Sequence, residues 1–372
     1  MNIKIHILSM VLITGLNSTL KGQDDNPNYN TVEDISKSTF ISIPPASAFL
    51  LIDVAPNKVF QAGNTRSVKI DWTLRSYKST PNLAIELQPI WLLYYNNGHI
   101  KDYRRASSFY RMLSTLSVSV GTVNWGPQRT VAYAAKLNLY SGNDPLLDSE
   151  LESTFTDYDE IKFNYKSRIK ELKNIIHLSH NINEIKSSKV KISTYLDSLS
   201  SLSQDQAAFN DEVKANYYRE NWNTSAIDLG FGKIKNYDIQ TDSVFKLNDG
   251  IGMWLTGSKD LGSKFQATGM VKFTRFGPLN SHVMLGANIR YGNPRFNFYT
   301  EIVHDLWNNP PKPGEIASRE IRQLEKTTFC YGGELKLNNI IQLNFGVRTN
   351  LDQHLKLASI LPTANVMCLM PL

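Results

Sequence analysis

Twelve charged residues stand out by type and by spacing: Lys69, Asp71, Arg75, Glu86, Lys136, Asp228, Lys272, Arg290, Glu301, Glu334, Lys336 and Arg348. They fall in stretches where apolar and polar residues alternate, so in an extended chain they project from the face opposite the apolar one. In a sheet that closes on itself they would line the interior, either as a salt-bridged filling or as the wall of an aqueous channel. Sequence leaves that choice open.

Catalytic signatures are missing from the chain, which carries no HExxH, CxxC, Walker A or GxSxG pattern. Gly257-Ser258-Lys259-Asp260-Leu261-Gly262-Ser263-Lys264 comes near a phosphate loop but lacks a lysine directly after its second glycine. It also lies between two strand-like stretches, so it reads as a hairpin turn. His304-Asp305 is one adjacent acid–base pair, and His177 and His180 sit three apart in a helical stretch without further metal ligands nearby. Neither pair reads as a site. No enzyme, cofactor or metal is expected.

The elements that must position the charged row are clearest at Ser281–Leu306. Val283, Leu285, Ala287, Ile289 and Tyr291 alternate with Met284, Gly286, Asn288, Arg290 and Gly292; Gly292-Asn293-Pro294 then breaks the run and Phe296 opens another. This is a β-hairpin with arms of about ten residues, the length of a tilted strand that spans a bilayer. Val283, Leu285, Ile289 and Tyr291 should face lipid, and Asn288 and Arg290 the interior. Similar arms are read from 67 to 75, 83 to 93, 116 to 123, 131 to 139, 226 to 234, 250 to 257, 265 to 276, 327 to 337 and 340 to 347, with the tail from Leu355 closing the sheet. Between the second and third arms, Asn96-Asn97-Gly98 with Lys101, Arg104 and Arg105 reads as a loop. Ahead of the first arm, paired prolines at 44 and 45 precede a short apolar run to Ile52, a first strand or a segment tucked into the core. Trp72, Trp91, Trp125, Trp254 and Trp307 lie in or beside the arms, where a membrane barrel carries aromatic girdles.

The period changes between residues 145 and 222. Ile161, Tyr165, Ile169, Leu172 and Ile176 recur at helical steps, as do Ile192, Leu196, Leu199, Leu202, Phe209 and Val213. The expectation is a helical insertion whose two helices cover one another, with a protein-docking role as the sharper alternative.

Residues 1–23 read as a secretory signal peptide, with Lys4 ahead of an apolar run of about ten residues. Residues 24–40 read as a flexible polar lead, and no segment is long and apolar enough for a helical span. The 41% hydrophobic content and mean hydropathy of −0.30 do not exclude a membrane barrel, in which only alternate strand residues meet lipid. A net charge of +6 is spread along the chain, which argues against a nucleic-acid partner. Cys330 and Cys368 are far apart in sequence, and their pairing is left open.

With the end of the leader at Lys21-Gly22-Gln23, the Pro45-Ala46-Ser47-Ala48-Phe49 segment and the repeated amphipathic arms, the chain resembles an outer-membrane β-barrel protein of the Bacteroidota type. It departs from that pattern at its last residues, Met370-Pro371-Leu372, where such barrels commonly carry an aromatic residue. The resemblance implies an all-β fold: a closed antiparallel transmembrane barrel of about 12 to 14 strands over residues 41–372, interrupted by the helices at 145–222. It also implies residence in the outer membrane, with lipid and the outer-membrane assembly machinery as partners. The function implied is a channel or transport barrel for small solutes; the alternative is a structural or anchoring barrel whose insertion docks a secretion or surface partner.

Overall fold

The computed structural model describes residues 43–75, 82–96, 99–125, 128–179, 181–238, 249–277, 280–308, 327–338, 340–352 and 354–370. The segments read as leader and polar lead, and the proline-rich stretch at 310–313, lie outside these residues.

Strict alternation over long arms dictates strands, and the strands close into one antiparallel barrel of twelve. They are β1 (Val68–Arg75), β2 (Asn82–Leu87), β3 (Ser117–Trp125), β4 (Gln128–Ser141), β5 (Ala226–Asp238), β6 (Gly250–Asp260), β7 (Phe265–Phe276), β8 (Asn280–Gly292), β9 (Phe296–Asn308), β10 (Thr327–Lys336), β11 (Ile341–Leu351) and β12 (Leu357–Met370). Each pairs with its sequence neighbour, and β12 pairs back onto β1 from Val68 opposite Met370 to Arg75 opposite Thr363. Closure leaves no strand edge unpaired.

The wall is inside-out relative to a water-soluble barrel. Outward positions carry exposed Val120, Tyr133, Leu229, Phe231, Met253, Leu255, Val271, Leu285, Ile289, Phe298, Ile302 and Phe345. Inward positions carry buried Lys69, Asp71, Glu86, Ser119, Thr256, Lys272, Asn288, Arg290, Glu301, Gln342, Asn344 and Arg348. Ion pairs within the wall, Lys69 with Glu86, Lys136 with Asp228 and Arg290 with Glu334, leave much of that row for other groups to solvate.

A separate stretch of the chain does so. Residues 43–67, with the short helix α1 (Ser47–Ile52), lie inside the barrel and are buried throughout except at the half-buried Asp53 and Asn64. Of the two placements open for the proline-led run, the lumen is the observed one, and its conformation is helical. The stretch is U-shaped. It starts beside Gln342, Met367 and Leu369 at the rim where β12 ends, reaches Asp305 and Arg348 near the opposite rim, and returns to enter β1.

The first rim is capped. The second arm ends at Leu87, earlier than its alternation suggests, and Trp91–Tyr95 form a π-helical turn. Instead of a loop, α2 (Ile100–Arg105) and α3 (Ser108–Ser114) follow. The physical reason is side-chain burial: Trp91, Tyr95, Ile100 and Tyr103 turn together into an apolar cluster with Leu146, Leu151 and Tyr217. The last three belong to the base of a helical hairpin made of α4 (Ser149–Leu178) and α5 (Ile182–Asn221). Asp148 caps α4 by accepting from the backbone N–H of Glu150 and Leu151, and Asn181 caps α5 through the N–H of Asn183. Tyr165 and Tyr195 meet at 5.8 Å, so the two helices run antiparallel against each other. No helix among the described residues is long and apolar enough to cross a membrane.

Three tryptophans depart from the girdle reading, one of them Trp307, which packs against the luminal core and stacks on His282 at 4.3 Å. Trp254 points into the lumen and packs with Met270, Met284 and the luminal segment, while Trp91 is buried in the cap. The Trp254 indole fills interior volume that Gly230 on the neighbouring strand leaves open.

Candidate functional site

The lumen is the place where the charged row meets a ligand-like object, the chain's own residues 43–67. A peptide that is neither sheet nor long helix leaves its N–H and C=O groups unpaired, and burying them unpaired costs about 1–3 kcal/mol each. The inward side chains supply those partners. Asp71 accepts from the N–H of Ala46, and Glu86 from the N–H of Ser47 at 2.7 Å. Lys69 donates to the carbonyl of Pro44 at 2.7 Å and pairs with Glu86 at 2.8 Å. Lys272 donates to the Leu50 carbonyl at 3.0 Å. Arg348 reaches the carbonyls of Asp53, Ala55, Pro56 and Asn57. Glu301 accepts from the N–H groups of Lys58 and Val59 at 2.6 and 3.1 Å. Near the return, Asp228 accepts from the Gly63 N–H at 3.0 Å while Lys136 donates to the Gly63 carbonyl at 2.8 Å, the two being ion-paired at 3.1 Å. Arg290 donates to Gln61 at 2.8 Å and pairs with Glu334 at 2.9 Å.

Ten of the twelve charged residues singled out by type are therefore brought together around one segment. Lys336 ends β10, half-buried at the capped rim. Arg75 ends β1 at the opposite rim, and its side chain lies outside the described residues. Sequence reasoning missed several further fasteners. Asp305 pairs with Lys58 at 3.1 Å and with His282 at 2.7 Å, Ser258 accepts from Ala62, Ser119 from Ala48, and Gln342 from Ile43. Asp305 was visible only as a neighbour of His304, but consecutive strand residues face opposite ways. His304 points outward toward Thr327.

Apolar contacts complete the fit. Phe49, Leu50, Leu51, Ile52, Val54, Val59 and Phe60 pack against Ala84, Val123, Ala132, Ile234, Trp254, Met270, Met284 and Val303. The wall is thinned where the segment presses close: a Cβ built on Gly232 would sit 2.3 Å from Leu51 Cδ1, and one on Gly286 2.4 Å from Val59 Cγ2. Cys330 and Cys368 are both free thiols, and no group of three or more metal-ligating side chains occurs among the described residues.

The segment's exit is tied to the cap. Arg66 lies over the Trp91 ring at 4.4 Å, donates to the Tyr103 hydroxyl at 2.9 Å and ion-pairs with Asp144. Burial disfavours the Asp144 carboxylate, but the adjacent Arg66 guanidinium outweighs that and holds it below the usual carboxylate range.

What this arrangement defines is a closed twelve-stranded barrel with an apolar exterior and a lumen occupied by its own chain. A scan against protein-family models finds no match, nor does a search of curated proteins. Among solved structures, the chain is similar to a KdgM porin, at 7% identity and TM-score 0.35, covering 81% of this chain and 98% of that one. It is similar to the toluene transporter TodX of Pseudomonas putida at 8% identity and TM-score 0.31, covering 90% and 95%. A third, the CymD monoaromatic hydrocarbon channel, aligns at 7% identity and TM-score 0.29, covering 82% and 87%. At these scores the likeness carries no argument about what this chain does.

Proposed function

We propose that the chain is an outer-membrane channel or transport barrel for small solutes that rests in a closed state, with residues 43–67 as its plug. The observation that supports this most is the fastening of that segment by inward charged side chains. Such bonds are exchangeable for water, whereas a purely structural filling would be served better by apolar packing alone. Topology supports withdrawal as well. The U enters and leaves at one rim, so the segment can slide out toward that rim without any part of the chain threading the barrel. The apolar exterior meets outer-membrane lipid, residues 1–23 direct export, and the outer-membrane assembly machinery inserts the strands. The Bacteroidota-type origin belongs to the same reading.

Two measurements test it. The protein should run with heat-modifiable mobility in an outer-membrane fraction; recovery as a soluble protein without detergent would overturn the reading. Liposomes carrying the full chain should resist sugar influx, and those carrying a chain cut back to Ser67 should admit it.

One observation favours a second reading, a barrel that anchors the helical hairpin for a partner. The hairpin leaves Phe163, Leu178, Ile182 and Val190 exposed, away from the barrel wall. Deleting residues 149–221 would then abolish partner recovery and leave the barrel folded.

A further inference from the structure

The α4–α5 hairpin is divided into two halves of opposite character. Residues 161–192, its outer half, carry eight Lys or Arg and two Asp or Glu. The remaining stretches, 149–160 and 193–221, carry two basic and ten acidic residues. Ile161, Phe163, Ile175, Leu178, Ile182 and Val190 are exposed in the outer half, and Leu196 just inside it is exposed as well. At the tip, Leu178 is 79% and Ile182 69% exposed, on either side of the turn between the helices. Lys173 and Lys186 are exposed within about a turn and a half of them, and Lys166, Lys170, Lys189 and Lys191 are exposed further down the outer half.

A helix pair that merely covered itself would need neither the tip hydrophobes nor a charge gradient. The base is accounted for, since Leu146, Leu151 and Tyr217 pack into the cap beneath it. The tip is not. Cations around protruding apolar side chains are the pattern that inserts at the interface of an anionic bilayer, with the ammonium groups at the headgroups and the hydrophobes at the acyl boundary. An anionic glycan or nucleic acid would satisfy the lysines but offers no apolar volume for Leu178 and Ile182.

We infer that the hairpin tip docks on an anionic phospholipid bilayer other than the one that holds the barrel. The 30 residues of α4 put the tip about 45 Å along the helix from its base, a reach several times the depth of a headgroup layer. The acidic base is repelled by the same surface, so the hairpin meets it tip first. This inference rests on the hairpin and on the proposed membrane residence of the barrel, and is independent of the plug.

The test uses the full chain in phosphatidylcholine nanodiscs, mixed with phosphatidylcholine vesicles or with vesicles also containing phosphatidylglycerol, and measures co-flotation. Capture by the phosphatidylglycerol vesicles alone, weakening with salt, is the expected result. A Lys173→Glu/Lys189→Glu variant should lower capture by at least about tenfold, as should Leu178→Asp/Ile182→Asp. Unchanged heat-modifiable mobility and helix content would show that both variants fold. Equal capture by both vesicle types, no capture, or capture indifferent to Leu178 and Ile182 would overturn the inference. So would hairpin protection that arises only when phosphatidylglycerol is in the nanodisc itself, which would place the tip on the barrel's own membrane. Competition by a soluble acidic protein but not by the vesicles would point to a protein partner instead.

Discussion

Arg348 donates to the carbonyls of Asp53, Ala55, Pro56 and Asn57, so one side chain satisfies the apex of the luminal segment. Arg348→Ala leaves those carbonyls buried with fewer donors, and should weaken docking of the segment by about 3 kcal/mol. Limited proteolysis would read this as new cleavage between 43 and 67 in a barrel that still shows heat-modifiable mobility. Gly286→Ala acts by volume. Its methyl would meet Val59 Cγ2 at 2.4 Å, forcing a branched, buried side chain to move, at about 1–3 kcal/mol in the same proteolysis assay. Leu285, one residue earlier, faces outward, and Leu285→Lys should cost about 2–4 kcal/mol in urea unfolding from lipid if it lies near the midplane. A neutral result there would contradict the outward face as a lipid face. Alternation alone carried the distinction between Leu285 and Arg290. It carried no sign that Ser119, Ser258 or Gln342 would hold backbone groups, because short polar residues inside a barrel look the same whether they face water or peptide.

At the level of elements, long arms were legible because ten residues of strict period two allow little else. The cap was not. Its π-helical turn and two short helices are fixed by the burial of Trp91, Tyr95 and Tyr103 against the hairpin base, a contact between segments distant in sequence. The same is true of α1, whose apolar run fits a strand equally well until the lumen around it is known. The hairpin base offers a pH test. Asp144 is held below its ordinary value by Arg66, so its contribution to the base is present at neutral pH and is lost as pH falls through the lowered value. Hydrogen exchange across residues 142–151 should therefore quicken on acidification below the normal carboxylate range. In Asp144→Asn, exchange should already be fast at neutral pH and should change little on acidification.

At the level of the whole molecule, the inverted polarity and the luminal segment belong together. A polar interior is stable only if something solvates it, and in this chain residues 43–67 take much of that role beside ion pairs within the wall. Sequence displayed the twelve charged positions and both solutions; choosing between them required the three-dimensional course of a stretch that carries no periodic signature. The most direct measurement is planar-bilayer conductance of the full chain beside a chain cut back to Ser67. The full chain should be silent, and the shortened chain should show steady steps of ion current. Steady current from the full chain, or silence from the shortened one despite a folded barrel, would contradict the account.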